Sequence, residues 1–486
     1  MSLNTKLVII LIVATITGLY ISWTYTFIGL PYEFCLYESE VYESSFRFPR
    51  SRKLPCYIYE ILLLLYNIII LILLLVNIYS LIRTNSSKKQ PDEIPSNSLD
   101  NVMIYIKCSN NIEDIFKTIS NVSSPDTKTN KIIYLACGSE IICKPEFLIQ
   151  EDLAIDKTED FTYYKGKFNE IPIFIIKYSD VQVNKEIMFT SACRFAYRIH
   201  EIFTESESEF ESTPRILPIS HIMRLECGAT LKENSIDSMV SLVKEDVMGV
   251  IGEIRVSPVP DNLLTNFQIF DYLLLHVSTK SVESSIGQVL NLSKSFCVIR
   301  LQELLKRGVL EDFLNHSTMP FIKALQREEF LTYTLLKRCP DKKLRYTTYA
   351  QCYLNPHTSP KKFILQENRW TRVLLLCHWL YYLWTLDFNL MKKLSIFCVI
   401  LYQIFLSVMF PLIISIGITN IIHNSLNRNY IIVGIEGTIC LCITIAGFIL
   451  FKKIKTMIYV LMYIILQPFF TLSIPYTVYK FLKNIS

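Results

Sequence analysis

The chain carries no P-loop and no G-x-G-x-x-G string. The two commonest sequence signatures of a phosphate-cradling glycine loop are therefore missing. Its 14 cysteines form no C-x-x-C pair and no His/Cys cluster at zinc spacing, which speaks against zinc-finger and thioredoxin-type chemistry. There is no long basic run, and the net charge is a modest +5, so no nucleic-acid partner is expected. No internal repeat is evident. Ionisable residues are sparse inside the long apolar stretches, where only Glu436 sits clearly within one. A channel or transporter predicts several such residues.

What is abundant is apolar sequence at both ends of a 486-residue chain. Leu7 to Leu30 and Tyr57 to Ile82 are long apolar runs, the second with Glu60 near its start. Three more follow: Leu394 to about Ile422, Tyr430 to Phe451, and Ile454 to about Leu482. Each reaches the roughly 20 residues needed to cross a bilayer core. Arg372 to Leu390 is shorter, rich in Trp and Tyr, and carries His378 and Asp387; it reads as an interfacial helix. Cys35 and Cys56 lie in the loop between the first two runs. A disulfide and two thiols are equally compatible with that placement. Arg47, Arg50, Arg52 and Lys53 argue for a cytoplasmic loop, whereas Lys88, Lys89 and the lysines of the middle region argue the other way.

Between the apolar ends, Asn85 to Asn101 is a polar linker. The region to about residue 365 then alternates strand-like and helix-like runs. Strands are predicted over Val102–Cys108, Lys131–Cys137, Ile171–Tyr178, the part of Ile216–Leu225 around Pro218, and Val247–Val256. Helices are predicted over Ile112–Ile119, with apolar positions at Ile112, Ile115, Phe116 and Ile119, over Glu186–Phe203, and over Ser235–Val243. Such alternation implies an α/β domain with a largely parallel sheet. Ligands in such sheets lie beyond the carboxyl ends of the strands, here near Cys108, Gly138 and Cys227. The resulting organisation is two membrane helices with an extracytoplasmic loop (residues 1–84), a linker (85–101), an α/β domain (102–365), a short motif with an interfacial helix (366–391), and about three membrane helices (392–486).

The short motif is Gln366-Glu367-Asn368-Arg369-Trp370. Arg offers a forked donor set to a leaving diphosphate. Trp offers a flat face to a sugar ring, and Gln can bond a hydroxyl. That set suits a processive sugar polymerase. The same residues suit a snorkelling arginine and an interface tryptophan.

A second stretch carries a family resemblance: Asn266-Phe-Gln-Ile-Phe-Asp-Tyr-Leu-Leu-Leu-His276, then Lys280, Glu283-Ser284 and Gly287. It resembles the Q-x-F-E-Y…H…K…E-S…G segment of fungal-type chitin synthases, processive family-2 glycosyltransferases. Further pieces fall in the family's order. Tyr105-Ile-Lys-Cys108-Ser109 is similar to its first strand and P-C-Y-[ST]-E turn. Tyr134 to Gly138 is similar to its second strand and D-G ending. Val247 to Glu253 resembles its M-G-x-C-G-E. Phe330 to Lys337 resembles the helix after its G-E-D-R, and Gln366, Arg369 and Trp370 fill its Q-x-x-R-W. The resemblance covers about residues 100 to 480.

The resemblance implies a glycosyltransferase-A-type α/β domain in the cytosol, embedded between transmembrane α-helices of a multi-pass plasma-membrane protein. It implies transfer of N-acetylglucosamine from UDP-GlcNAc to a growing β-1,4 chitin chain of the cell wall, with the chain carried across the bilayer. Partners would be the nucleotide sugar, the chitin chain, lipid, and a second copy or a sister synthase. It implies a divalent metal, Mg²⁺ or Mn²⁺, on the diphosphate. It also implies substrate-binding roles at Gly138, Thr230, Gln366, Arg369 and Trp370, and a base at Glu328.

Several departures fall on the chemistry. Cys137-Gly138 stands where the family has D-G. Cys227-Gly228-Ala229-Thr230 stands where it has D-A-D-T, so both aspartates are replaced, and Glu226, one position earlier, is the remaining candidate metal ligand. The family's G-N-R-G-K-R-D string is matched only around Ser191 to Phe195, with Arg194. The family's G-E-D-R position reads Gln326-Arg327-Glu328-Glu329, which puts a glutamate on the base aspartate. The two middle arginines of the family's Q-R-R-R-W are Glu367 and Asn368 here. Cysteine thiols are poor partners for hard cations. The alternative expectation is a catalytically degenerate synthase relative.

Overall fold

The structure is a computed structural model that describes most residues between 101 and 404. Residues 1–100, 110, 124–128, 139–150, 158–160, 179–184, 207–218, 316–326, 360–378 and 405–486, with scattered positions in 261–307 and 380–382, lie outside the description. The apolar runs predicted to cross the membrane lie there before residue 100 and after residue 404, as do Cys35, Cys56, Gln366, Arg369 and Trp370. Among the described residues no helix is long and apolar enough to cross a membrane.

The first strand, β1 (Asn101–Lys107), is an unbroken apolar run and is buried on both faces. It continues to Cys108. Helix α1 (Ile112–Val122) follows, capped by Asn111, whose Oδ1 accepts from Glu113 N at 3.1 Å. Strands β2 (Asn130–Cys137), β3 (Glu151–Lys157), β4 (Phe161–Phe168) and β5 (Ile171–Tyr178) come next. Helix α2 (Lys185–Ser206) leads toward β6 (His221–Glu226), β7 (Thr230–Leu231), α3 (Ser235–Val240) and β8 (Val247–Val256). A π-helical turn (His276–Lys280) runs into α4 (Ser281–Ser285). Then come β9 (Phe296–Arg300), α5 (Leu301–Leu304), α6 (Val309–Asn315), α7 (Arg327–Arg338), β10 (Lys343–Leu354) and α8 (Leu390–Ile404).

The strands form one sheet in the order β3-β4-β5-β2-β1-β6-β9-β8-β10-β7. The central strands β5, β2, β1 and β6 are parallel. The predicted largely parallel sheet is corrected to a mixed one. β3 and β4 are antiparallel additions beside β5, β9 runs antiparallel between β6 and β8, and β7 is antiparallel to β10. The strand pattern explains the two cores. Met103, Tyr105, Tyr134 and Phe174 point to one face, where Met188, Phe189, Ala192, Cys193 and Ala196 of α2 cover them. Val102, Ile104, Ile106, Ile133 and Leu135 point to the other, with Ile115, Ile119 and Val122 of α1. Ile112 and Phe116, predicted on the buried stripe of α1, are instead exposed.

Gly252, in the middle of β8, shows why that strand requires glycine. A Cβ there would lie 2.0 Å from the buried Phe296 ring. Gly252→Ala is expected to cost about 1–3 kcal/mol through overpacking. Adding Phe296→Leu should recover part of the loss. Thermal unfolding of the two variants in detergent checks this.

Candidate functional site

Three carboxyl ends are brought side by side because β1 pairs in parallel with β2 and with β6. Lys107 is in register with Ala136 on one side and with Glu226 on the other. The edge beyond them, where ligand crevices of such sheets lie, carries Cys108 and Ser109, Cys137 and Gly138, and Glu226 and Cys227.

The turn after β6 is built on Gly228, whose φ of +86° favours glycine. Its N–H donates to Thr118 Oγ1 at 2.8 Å, and Ala229 N–H donates to Glu226 O at 3.2 Å. Asn121 of α1 holds Leu231 at both backbone groups, accepting from its N–H at 2.5 Å and donating to its carbonyl at 3.4 Å. Asp114 accepts from Asn355 Nδ2 and from Asn111 Nδ2, both at 3.1 Å, and Lys117 Nζ donates to Asn355 Oδ1 at 3.1 Å. This clasp of Asp114, Lys117 and Asn355 borders Gly228. Sequence reasoning did not find it, because Asn355 is more than 200 positions from Asp114 and Lys117 and none of the three stands in a motif.

The predicted site residues fall as follows. Glu226 ends β6 half-buried, and its carboxylate accepts from the Ser295 hydroxyl. Gly138 follows β2, half-buried, with β1 between it and Glu226. Thr230 opens β7, in register with Tyr353 of β10. The backbone of Glu328 lies in the first turn of α7, and its side chain is outside the described residues. Cys227 Sγ lies 3.4 Å from Ser109 Oγ. Burial pushes the Cys227 thiol up from its ordinary value. The Ser109 contact opposes that, and the charges of Asp114 and Glu226 add to it. Ala229 is fully buried among Met223, Leu225 and Ile254. The end of β6 thus offers one carboxylate, one protonated thiol and a buried methyl. Among the described residues no group of three or more His, Cys, Asp or Glu could hold a metal ion. That donor set does not fit a hard divalent cation.

The segment that carries the resemblance forms a buried polar cluster. His276 Nε2 accepts from Ile254 N–H at 3.3 Å, and the ring stacks on Tyr346 at 5.5 Å. The buried Glu283 carboxylate accepts from Lys280 Nζ at 2.9 Å, Leu290 N–H at 3.0 Å and Gln403 Nε2 at 2.5 Å. Gln403 belongs to α8, so Glu283 fastens that helix to the sheet domain. Glu253 of β8 is also buried. It accepts both forked bonds of Arg255 at 3.1 Å and one from Gln351 Nε2 at 3.1 Å.

Comparison with known proteins adds the following. A family model described as "Chitin synthase" matches residues 185–486. Chitin synthase 5 of Cryptococcus neoformans var. grubii is 23% identical over 163 residues, which is 31% of this chain and 8% of that protein. Chitin synthase 5 of Exophiala dermatitidis is 25% identical over 198 residues, 36% of this chain and 10% of that protein. Chitin synthase csmA of Emericella nidulans is 25% identical over 198 residues, 36% of this chain and 11% of that protein. The aligned part spans about a tenth of the length of these relatives. Among solved structures, a mannosyltransferase from Pyrobaculum calidifontis in complex with GDP-Man and Mn²⁺ is 10% identical with a TM-score of 0.41, covering 82% of this chain and 96% of that one. S. aureus TarS in complex with UDP-GlcNAc is 8% identical with a TM-score of 0.34, covering 78% and 92%.

The raised Cys227 value is testable by alkylation. Its rate with iodoacetamide should keep rising with pH beyond the midpoint of a free cysteine, about 8.5. Removing the neighbouring charge in Asp114→Asn should lower that midpoint. A midpoint at or below the free value would contradict the described surroundings.

Proposed function

The chain belongs to the chitin synthase family, and on that premise we propose that it transfers N-acetylglucosamine from UDP-GlcNAc to a growing β-1,4 chitin chain. The observation that carries the reading is the family match across residues 185–486, joined to a sheet that sets three parallel strand ends side by side. The nucleotide sugar would sit beyond β1, β2 and β6, against Gly138 and the turn that leads to Thr230. Glu328, in the first turn of α7, would take the proton of the acceptor hydroxyl as it attacks the anomeric carbon with inversion. Arg369 would hold the diphosphate, Trp370 would stack on the acceptor sugar, and Gln366 would bond a hydroxyl. No step is routed through a metal, because the described donors at the end of β6 do not suit one.

In this proposal the fold is of the glycosyltransferase-A type, and the sheet domain lies in the cytosol, where nucleotide sugars are made. The apolar runs on either side span the plasma membrane and carry the polymer outward. A second copy or a sister synthase is the proposed protein partner.

A specific observation favours a second reading. Ala229 is buried and Cys227 is a thiol of raised pKa at positions where the resemblance expects aspartates. In that reading the chain is a catalytically silent synthase relative that retains the fold and a nucleotide crevice.

Radiolabelled UDP-GlcNAc given to the purified full chain in lipid nanodiscs separates the two. The first reading expects a chitinase-sensitive polymer at an ordinary enzyme turnover, roughly 1–10³ per second. Glu328→Gln should then cost about 10²–10⁴-fold, the general-base contribution. Trp370→Ala should abolish the polymer while membrane insertion is kept. Absence of polymer with nucleotide sugar still bound selects the second reading. Unchanged yield in Glu328→Gln, Arg369→Ala and Trp370→Ala would remove these residues from the site.

A further inference from the structure

Cys108 and Cys137 are 29 positions apart in sequence, yet their sulfurs lie 3.1 Å apart. The cause is strand register. Lys107 is paired with Ala136, and Cys108 N–H donates to Ala136 O at 2.9 Å, so the two cysteines are neighbours at the ends of β1 and β2. Parallel strands lie about 4.8 Å apart. That is inside the Cα separation of roughly 4.4–6.8 Å that a disulfide bridges. Bond formation therefore needs the sulfurs to close by only about 1 Å, which side-chain rotation supplies without moving either strand.

We propose that Cys108 and Cys137 are a modification site: a dithiol that hydrogen peroxide converts to a reversible intramolecular disulfide. Cys108 is the entry point. It is buried to all but 4% where Cys137 is fully buried, and it is followed by the half-buried Ser109 at the end of β1. The Cys108 thiolate attacks one peroxide oxygen, the O–O bond breaks, and a sulfenic acid forms with release of water. The Cys137 sulfur then attacks the Cys108 sulfur, the S–O bond breaks, and a second water leaves. The two thiols lose two protons and two electrons, and the peroxide gains them. Thiols regenerate the pair by exchange. In a reducing compartment such a link is transient and regulatory rather than structural.

The link would staple β1 to β2 at the floor of the crevice. Ser109, one residue beyond the link, contacts Cys227, and Gly138 follows directly on the other side. Oxidation thus acts on the ends of all three strands that border the proposed nucleotide site. The chemistry of the thiol pair does not depend on whether the chain polymerises sugar.

The test is peroxide treatment of the purified full chain, followed by alkylation under denaturing conditions and non-reducing peptide mapping. The expected result is a Cys108–Cys137 linked peptide, loss of alkylation at these two residues, and a mass loss of about 2 Da that dithiothreitol reverses. In Cys137→Ala the link should vanish and Cys108 should be trapped as sulfenic acid by dimedone. If that variant does not fold, the peptide map of the unsubstituted chain decides alone. Recovery of both thiols under a dose that oxidises glutathione added to the same sample overturns the proposal. So does Cys108 found as sulfinic acid, or bridged to a different cysteine.

Discussion

Burial of β1 on both faces is the constraint on which the rest of the structure depends. Val102, Met103, Ile104 and Ile106 are inaccessible to solvent, and each such side chain contributes about 1.5–3 kcal/mol. A strand covered on both faces cannot slip by one residue without exchanging its two apolar sets. Its register with β2 and β6 is thereby fixed. That register places Cys108, Cys137 and Glu226 at one edge, and it makes the crevice a consequence of packing rather than of any single loop.

The turn after β6 is held just as firmly, but by polar contacts. Thr118 and Asn121 of α1 bind Gly228 and Leu231, and the Asp114–Asn355 pair lies against the glycine. With the turn locked, Ala229 stays inside the core beneath α1. An aspartate introduced there would bury a charge at a cost of several kcal/mol, so the end of β6 does not regain paired carboxylates by substitution alone. The buried Glu283 plays a comparable part for α8, since its oxygens are shared among Lys280, Leu290 and Gln403.

Sequence reading succeeded where burial writes a continuous apolar run. Ile171–Tyr178 and Val247–Val256 coincide with β5 and β8, and β1, β2 and α2 agree to within a few residues at each end. It missed β3 and β4, which lack a continuous apolar run, and it missed β9 and β10. The antiparallel part of the sheet was lost with them. In α1 the helical period was legible and so was half of its apolar stripe: Ile115 and Ile119 are buried, while Ile112 and Phe116 are exposed. Phe116 makes a T-shaped ring contact with Phe168, which sequence spacing does not reveal. Among site residues, the neighbourhood of Cys108, Gly138 and Cys227 was legible from strand ends. The Asp114–Asn355 clasp and the Cys108–Cys137 contact depend on register between distant segments. Gln366, Arg369 and Trp370 lie outside the described residues, so their roles remain proposals drawn from resemblance.

The central claim is that the crevice at the ends of β1, β2 and β6 receives the nucleotide sugar. Hydrogen exchange of the full chain with and without UDP-GlcNAc measures this most directly, because it reads occupancy whether or not polymer forms. The account predicts slowed exchange at the backbone amides of Cys108, Ser109, Gly138 and the 227–231 turn. Protection confined to β3 and β4, or no change at a saturating nucleotide concentration, would contradict it.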